Sequence, residues 1–479
     1  MHPTNFPRIV IAGLSGDSGK TLVSCGLLSA LRSRGLRVSA FKKGPDYIDA
    51  AWLTLASGRP ARNLDTHLMG VETVTQSFQR NATGADLSVI EGNRGLFDGV
   101  DSSGTHSTAE LAKLLHAPVI IVLNVSKVTR TAAASVLGCV RLDPEVRIAG
   151  VILNNVANER HVRVVKEAIE DSTGVPVLGA IPKLRGDSVL PTRHLGLVTP
   201  GEFRPGLTFL EAAKRVVEEN ADVSALLNVA GISPRIEEGS SSHYESFNQV
   251  NGADSKSVRI AYFKDESFSF YYPENLEMLL AAGAEIIPVS PSREVLPDDV
   301  DALYIGGGFP ELYLTSLVSN REMMSAVRKA SEDGMPIYAE CGGLIYLARS
   351  LERKEKEYDM SGVLPIKVRM LERPQGHGYT EAVVDEANAF FERGSTIRGH
   401  EFHYSNIVGR DEDVKTCLSV SRGAGCFDRR DGISYNNVFA TYTHIHALAT
   451  SQWAGSLVKN AMSYKAHKSE KNLLLSVEG

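Results

Sequence analysis

The spacing of apolar residues in the first 180 positions predicts strands that alternate with helices. Six short runs dominated by apolar residues lie at 8–12, 38–41, 87–90, 119–123, 148–153 and 175–180. Unbroken runs of this kind are typical of strands that are covered on both faces of a parallel sheet. The pattern therefore predicts a doubly wound α/β domain, in which ligands bind at the carboxyl ends of the strands.

A polar segment at 237–257 separates this pattern from a second one. The segment is rich in Ser, Gly, Asn and Asp and has few apolar residues, as interdomain linkers do. After it, the chain predicts a helix at 275–282 and strands at 259–263, 285–289, 302–305 and 336–339. We predict one α/β domain at 1–236, a linker at 237–257, a second α/β domain at 258–465 and a frayed, Lys-rich tail at 466–479.

Length and composition limit the classes of function. A chain of 479 residues is too long for one core and predicts at least two domains. The net charge of −6 gives no electrostatic case for nucleic acid, and no apolar run approaches the roughly 18 residues that span a membrane. The N-terminus lacks a signal sequence, and the five cysteines are widely spaced. We expect a cytoplasmic protein that acts on small molecules.

A glycine-rich loop follows the first predicted strand and opens a helix. Backbone amides and the helix dipole bind phosphates in this arrangement, while Lys20 would neutralise their charge and Thr21 would reach Mg²⁺. Five residues separate Gly13 from Gly19, one more than in the usual loop, as in the dethiobiotin-synthetase-like branch of P-loop proteins. The predicted phosphate-binding positions of the loop are Gly13, Ser15, Gly16, Gly19, Lys20 and Thr21.

Acidic residues follow two of the predicted strands. Glu91 ends an apolar strand, where P-loop proteins place the carboxylate that holds Mg²⁺. Asp46, Asp49 and Asp98 lie in neighbouring loops and are candidates to complete the metal shell or to position a substrate. Taken singly, each aspartate is more often a turn or cap residue.

Cys341 lies at a predicted strand-to-helix turn in the second domain. A helix N-terminus lowers the pKa of a thiol and supplies amides for an oxyanion, so this turn is a candidate nucleophile elbow. Gly307 and Gly308 end another strand and are either further oxyanion donors or a plain turn. A structural cysteine is the alternative unless a base is near. The candidate bases are His377, His400, His403, His444 and His446, whose spacing does not favour a metal cluster.

Nearly the whole chain resembles the cobyrinate a,c-diamide synthase family, which includes sirohydrochlorin-amidating relatives. The resemblance rests on the long P-loop and on the stretches 43–49, 91–99, 150–154, 268–272, 306–313, 339–343 and 399–404. It implies a dethiobiotin-synthetase-like P-loop domain that is an ATP-binding amidoligase, joined to a class I glutamine amidotransferase α/β domain.

The resemblance also implies roles for the candidate residues. Cys341 would attack the amide of L-glutamine with His444 as its base, and Gly307, Gly308 and Gly342 would bind the glutamine oxyanion. ATP and Mg²⁺ would activate a substrate carboxylate as an acyl-phosphate, which the released ammonia would convert to an amide. The residues implied at this second site are Lys20, Thr21, Asp46, Asp49, Glu91 and Asp98, with Asn154 at the adenine and Thr21, Asp46 and Glu91 as metal ligands.

One position departs from ordinary class I amidotransferases. These proteins place a glutamate two residues after the catalytic histidine, whereas this chain has His446 there. The cobyrinate branch is similar in this respect, so we expect a working Cys341–His444 dyad in which His444 is less firmly oriented.

The substrate and two other functions stay open. The family amidates acetate side chains (a and c) of tetrapyrrole polycarboxylates, but Asn93 and Arg94 replace the usual Val-Met of corrin-directed members, and Ser267 replaces a frequent alanine. Cobyrinate and sirohydrochlorin or sirohaem are therefore both candidates. Alternatives are a partition-type ATPase, although Leu14 to Gly16 lack its second lysine, and a catalytically silent regulator. A homodimer is possible, without nucleic-acid or membrane partners.

Overall fold

A computed structural model of the chain describes residues 6–184, 192–193, 196–203, 206–234, 236 and 258–478. The chain forms two compact units, Met1–Ser241 and Ser242–Gly479. The predicted linker at 237–257 lies outside the described residues, so this part of the domain prediction stays a prediction.

A parallel sheet of seven strands forms the centre of the N-terminal unit. Its strands are β1 (Arg8–Gly13), β2 (Val38–Lys43), β3 (Arg62–Leu64), β4 (Leu87–Glu91), β5 (Val119–Asn124), β6 (Ile148–Val156) and β7 (Val177–Pro182). They lie in the order β3-β2-β4-β1-β5-β6-β7. The six predicted strands are present. β3 was missed, because a three-residue strand that begins Arg-Asn has no apolar run.

The helices of this unit connect the strands and cover the sheet. They are α1 (Lys20–Ser33), α2 (Tyr47–Ser57), α3 (Thr66–Ala82), α4 (Thr108–Leu114), α5 (Arg130–Leu142), α6 (Glu159–Thr173), α7 (Gly206–Asn220) and α8 (Val223–Gly231). A two-stranded hairpin, β8 (Thr192–Arg193) and β9 (Gly196–Leu197), follows β7. Because β1, β2 and β4 are parallel neighbours, the residues after Gly13, Lys43 and Glu91 meet at one edge of the sheet.

A mixed sheet of ten strands organises the C-terminal unit. Its strands are β10 (Val258–Phe263), β12 (Ala284–Val289), β13 (Ala302–Ile305), β15 (Ile337–Glu340), β19 (Gly376–Val384), β20 (Thr396–His403), β22 (Lys415–Arg422), β23 (Arg430–Tyr435), β24 (Val438–Thr441) and β25 (His444–Ile445). The order is β12-β10-β13-β15-β24-β23-β22-β19-β20-β25. The first five strands pair in parallel, and all later pairs are antiparallel.

The remaining elements of this unit are smaller. β11 (Phe268–Phe270) pairs with β14 (Gly307–Gly308), and a four-stranded sheet contains β16 (Ala348–Arg353), β17 (Lys356–Asp359), β18 (Leu364–Met370) and β21 (Ser405–Arg410). The helices are α9 (Pro273–Ala281), α10 (Leu314–Ser319), α11 (Arg321–Glu332), α12 (Gly342–Leu347) and α13 (Gln452–Glu478), with a 3₁₀ turn at Pro310–Leu312.

α13 corrects the prediction of a frayed tail. The helix starts with a buried face that includes Trp453, Leu457 and Ala461, and it continues to Glu478. Packing of the first turns provides the costly helix nucleus, and the Lys-, Glu- and Leu-rich residues that follow are good helix formers.

Candidate active sites

The glycine-rich loop connects β1 to α1 in the N-terminal unit. Gly19 has a φ of 99°, which favours glycine, and a Cβ atom there would lie 2.3 Å from Asn154 Nδ2. Asn154 Nδ2 donates a hydrogen bond to Ser18 O at 2.9 Å, and Asn154 Oδ1 accepts one from Asn155 N. The side chain of Asn154 therefore braces the loop from β6. Its predicted contact with adenine stays a prediction.

Lys20 connects the loop to the segment that follows β4. Its Nζ donates to Ser15 O at 2.9 Å and to Arg94 O at 2.8 Å. The two segments also join through Leu96 N, which donates to Gly13 O at 2.7 Å. Burial and the nearby charge of Lys42 lower the pKa of Lys20. The lysine is thus held over the loop at the place where phosphate charge would be neutralised.

A buried cluster of charged side chains lies beside this loop. Thr21 Oγ1 donates to Glu91 Oε1 at 2.9 Å, and Lys42 Nζ donates to the same oxygen at 2.9 Å. Lys42 Nζ also contacts Asp49 Oδ2 at 2.5 Å. Glu91 is fully buried and Lys42 nearly so. Buried charges persist when they are paired in this way.

The shifted pKa values of this cluster reflect burial and mutual charge. Burial raises the pKa of Glu91, and Lys42 opposes that shift. Burial, followed by the charge of Asp49, raises the pKa of Asp46 to about 7. The pKa of Lys42 is raised, because the carboxylates of Asp49 and Glu91 outweigh the opposing effect of burial. Its ion pairs with Asp49 and Glu91 favour the charged form of the Lys42 amino group.

The other predicted acids have different local partners. Asp46 caps α2 by accepting a hydrogen bond from Asp49 N at 2.8 Å, while its charge acts on the same cluster. Asp98 Oδ2 accepts from Gly95 N at 2.8 Å and so shapes the loop after β4. The structure thus brings Asp46, Asp49 and Glu91 together, and Asp98 lies in the adjacent loop.

Cys341 stands at a strained turn between β15 and α12. Its φ and ψ are 47° and −95°, a conformation that residues with a side chain rarely adopt. The backbone N–H of Cys341 donates to Thr441 O at 2.7 Å, three residues before His444. A Cβ atom on Gly342 would lie 3.0 Å from Gly308 N, so these glycines allow two backbone segments to approach each other. This geometry is that of a nucleophile elbow.

The expected low pKa of the Cys341 thiol was wrong. Burial, followed by the charge of Glu311, raises the pKa of this thiol, and a backbone hydrogen bond from Gly342 opposes the shift only in part. α12 has six residues and a correspondingly small dipole, which does not offset the burial of a thiolate. This shift favours the neutral thiol, so a reaction at Cys341 would need a proton acceptor.

His444 lies against Gly307, next to Gly308, which approaches the Cys341 turn. A Cβ atom on Gly307 would lie 2.4 Å from His444 Cε1 and 3.3 Å from Nε2. The rings of His400 and His444 stack with centroids 4.9 Å apart. His444 Nδ1 lies 3.4 Å from Glu340 Oε2. His444 is therefore the candidate base that the structure associates with the Gly307 turn.

Three of the other candidate bases have partners elsewhere, whereas His400 stacks on His444. His403 Nε2 lies 3.5 Å from Glu401, His446 Nε2 lies 3.6 Å from Glu274, and the His377 ring packs on Phe402. Within the described ranges, no group of three or more His, Cys, Asp and Glu residues has the arrangement of a metal site. None of the helices described is long and apolar enough to cross a membrane.

Known families match each unit of the chain. A model of the CobB/CobQ-like glutamine amidotransferase domain matches residues 259–452, and one of the CobQ/CobB/MinD/ParA nucleotide binding domain matches residues 9–198. A cobyrinate a,c-diamide synthase of Magnetococcus marinus is 41% identical over 95% of this chain and 97% of its own length. One of Archaeoglobus fulgidus is 41% identical over 97% and 99%, respectively. This chain belongs to the cobyrinate a,c-diamide synthase family.

Membership of the cobyrinate a,c-diamide synthase family confirms several predictions. The chain is a ligase with a nucleotide-binding P-loop domain and a C-terminal glutamine amidotransferase domain. The N-terminal match alone does not exclude a partition-type ATPase, because its description includes MinD and ParA. The full-length relatives exclude that alternative.

Two charged residues of the sites were missed in the sequence. Lys42 pairs with Asp49 and Glu91, and Glu340 faces His444. Each is a charged residue at the carboxyl end of an otherwise apolar strand, which is a usable signal because burial there requires a partner. In this chain, Lys42 directly precedes the segment 43–49, and Glu340 directly precedes Cys341.

Proposed function

We propose that this chain amidates the a and c acetate side chains of cobyrinate, with ATP as the activating substrate and L-glutamine as the nitrogen donor. The observation that carries the proposal is the 41% identity to cobyrinate a,c-diamide synthases along almost the entire chain. The geometry supports it, because a phosphate loop with buried acids and a strained cysteine turn are separate sites in the two units.

The N-terminal unit would activate the carboxylate. The loop from Gly13 to Thr21 binds the ATP phosphates, and Lys20 neutralises their charge. A substrate carboxylate oxygen attacks the γ-phosphorus, which forms an acyl-phosphate and releases ADP. Ammonia then attacks the acyl carbon, loses a proton and expels phosphate. Asp46, Asp49, Glu91 and Asp98 are the candidates to position these reactants.

Mg²⁺ fits the residues beside the loop. The Thr21 hydroxyl and the Glu91 carboxylate lie 2.9 Å apart, and Mg²⁺ takes such oxygen ligands together with phosphate oxygens and water. Asp46 is the further candidate ligand. The ion would supply neutralisation of phosphate charge, and Lys42 would keep the acidic residues around it paired.

The C-terminal unit would release ammonia from glutamine. Cys341 Sγ attacks the side-chain amide carbon while His444 accepts the thiol proton and then donates it to the leaving ammonia. The backbone at Gly307, Gly308 and Gly342 supplies the candidate donors for the oxyanion. Water hydrolyses the resulting thioester to glutamate and restores the thiol.

Sirohydrochlorin is the second candidate substrate. The backbone carbonyl of Arg94 accepts a hydrogen bond from Lys20 Nζ. The cation of Arg94 therefore belongs to a residue next to the predicted phosphate site. That position suits a polycarboxylate, and it replaces an apolar residue of corrin-directed relatives.

Mass spectrometry distinguishes these substrates. Cobyrinate, sirohydrochlorin and its metal complexes would each be incubated with ATP, Mg²⁺ and glutamine, and Cys341→Ala with ammonium would serve as the control for the synthetase unit. We expect a product with two amides on cobyrinate. Amidation of sirohydrochlorin alone would choose the second substrate, and no amide on either tetrapyrrole would overturn the proposal.

A further inference from the structure

Glu340 is a fully buried carboxylate directly before the candidate nucleophile. It ends β15, and the pairing of β15 with β24 places it opposite Thr441. The chain after Thr441 passes through Tyr442 and Thr443 to His444. Because of this strand register, the residue that precedes Cys341 places its carboxylate beside His444.

Four contacts surround this carboxylate. Oε1 accepts hydrogen bonds from Ile445 N at 3.2 Å and from Tyr338 Oη at 3.4 Å, and Oε2 accepts from Tyr304 Oη at 3.4 Å. Burial, followed by the charge of Glu340, raises the pKa of both tyrosines, so their hydroxyls stay protonated and donate. The fourth contact is His444 Nδ1, 3.4 Å from Oε2.

The orientation of His444 follows from these contacts. A carboxylate at Nδ1 favours the tautomer that carries its proton on Nδ1, which leaves Nε2 as the proton acceptor. His400 stacks on one face of the ring, and Gly307 borders the Cε1 edge. Glu340 and the imidazole of His400 are the titratable groups that contact the His444 ring from β15 and β20.

Class I amidotransferases carry their acid two residues after the catalytic histidine, which is position 446 in this chain. Here His446 belongs to a different pair. His446 contacts Glu274 at 3.6 Å, and its ring packs on Tyr272 with centroids 4.6 Å apart. Both members of this pair are fully buried. Glu274 therefore forms a second buried carboxylate–histidine pair, and it offers an internal comparison for Glu340.

We infer that Glu340 is the positioning residue of a rearranged triad, in which the acid precedes the nucleophile and orients His444 for proton transfer with Cys341. The inference rests on the proposed glutamine hydrolysis. It replaces the expectation of a dyad with a loosely oriented histidine. Glu340 acts through His444 and does not itself contact glutamine.

The test compares Glu340→Gln with Glu274→Gln in the full-length protein. Each variant removes one buried negative charge beside a histidine and keeps the side-chain volume. We expect Glu340→Gln to lower kcat for glutamine hydrolysis by ~100-fold or more without changing KM for glutamine, because a missing or wrong partner at Nδ1 disfavours the active tautomer. Glu274→Gln should retain the parent kcat.

Two further measurements separate positioning from folding. Glu340→Asp restores the charge at a longer distance, so its kcat should lie between those of the parent and Glu340→Gln. Amidation with ammonium should be the same in all variants, because it does not need His444. If Glu340→Gln does not fold, Glu340→Asp alone must show a lower kcat for glutamine and parental activity with ammonium.

Three outcomes would overturn the inference. They are a parental kcat in Glu340→Gln, a parental kcat in Glu340→Asp, and an equal loss in Glu274→Gln. Absence of glutamine hydrolysis in the parent protein would instead refute the proposed function, so the two failures are distinguishable.

Discussion

Buried charge is arranged differently in the two candidate sites. In the N-terminal unit, Lys42 lies between Asp49 and Glu91, so charges of both signs are paired before a ligand binds. In the C-terminal unit, burial and the carboxylates of Glu311 and Glu340 raise the pKa of the Cys341 thiol, which favours its neutral form. One site is built around buried ion pairs and the other around a buried thiol whose charged form is disfavoured.

This difference follows from the chemistry that each site is proposed to perform. A polyphosphate carries its negative charge at all times, and a lysine over the phosphate loop, such as Lys20, would offset that charge. A thiolate is needed only while Cys341 attacks an amide carbon, so a nearby proton acceptor is sufficient. This difference predicts which substitutions reduce amidation with both nitrogen sources and which reduce it with glutamine alone.

Removal of the lysine that lies over the phosphate loop is expected to have the largest effect. Lys20→Ala should lower amidation by ~1,000-fold with either glutamine or ammonium, because carboxylate activation precedes the use of either nitrogen source. Glu91→Gln should act in the same direction through the metal site. Amide formation would be measured with both donors, with the exposed Lys183→Ala as the control. Amidation that survives in Lys20→Ala would show that the phosphate site is misassigned.

Removal of the Cys341 thiol should reduce amidation with glutamine only. Cys341→Ala is expected to reduce glutamine-supported amidation to background and to leave ammonium-supported amidation unchanged, because only ammonia release needs the thiol. Cys139→Ala removes another buried cysteine and should change neither rate. Equal loss with both donors in Cys341→Ala would contradict the division of labour between the units.

Disruption of the paired cluster should reduce stability. Lys42→Met removes the partner of Asp49 and Glu91 and leaves buried carboxylates without their cation, which typically costs about 3–5 kcal/mol. Denaturant unfolding would measure the loss. The control is Lys113→Met at a partly exposed ion-pair group with Glu110 and Asp143, where we expect a change of about 0–1 kcal/mol. Similar losses in both variants would mean that burial does not increase the contribution of the Lys42 ion pairs to stability.

The sequence predicts the parts of each site that are local. The glycine-rich loop and the elbow at Cys341 are contiguous segments, so their spacing alone indicates the geometry. Lys42 was missed because its partners are 7 and 49 residues away along the chain. Glu340 was missed for the same reason, since Ile445 is 105 residues away and meets it only through the pairing of β15 with β24.

The fold shows the same division between local and non-local information. Apart from β3 and β24, the parallel strands contain continuous apolar runs and were predicted with small errors at their ends. Strands of the antiparallel half, such as β22 (Lys415–Arg422), have exposed and buried positions mixed along a short polar sequence. Their pairing depends on distant partners, so the sequence indicated an α/β domain without this half of the sheet.

The smallest expected effect concerns the pH dependence of Cys341 in the resting protein. An ordinary thiol has a pKa of about 8.5, and its alkylation rate levels off above that pH. The raised pKa of Cys341 means that the thiolate fraction, and with it the rate of alkylation by iodoacetamide, should rise about tenfold per pH unit through pH 9. Mass spectrometry of the Cys341 peptide measures the rate, with N-acetylcysteine as the reference and circular dichroism to verify folding. A rate that levels off below pH 8 would mean that the resting thiolate is stabilised, and the two sites would then not differ in how they hold charge.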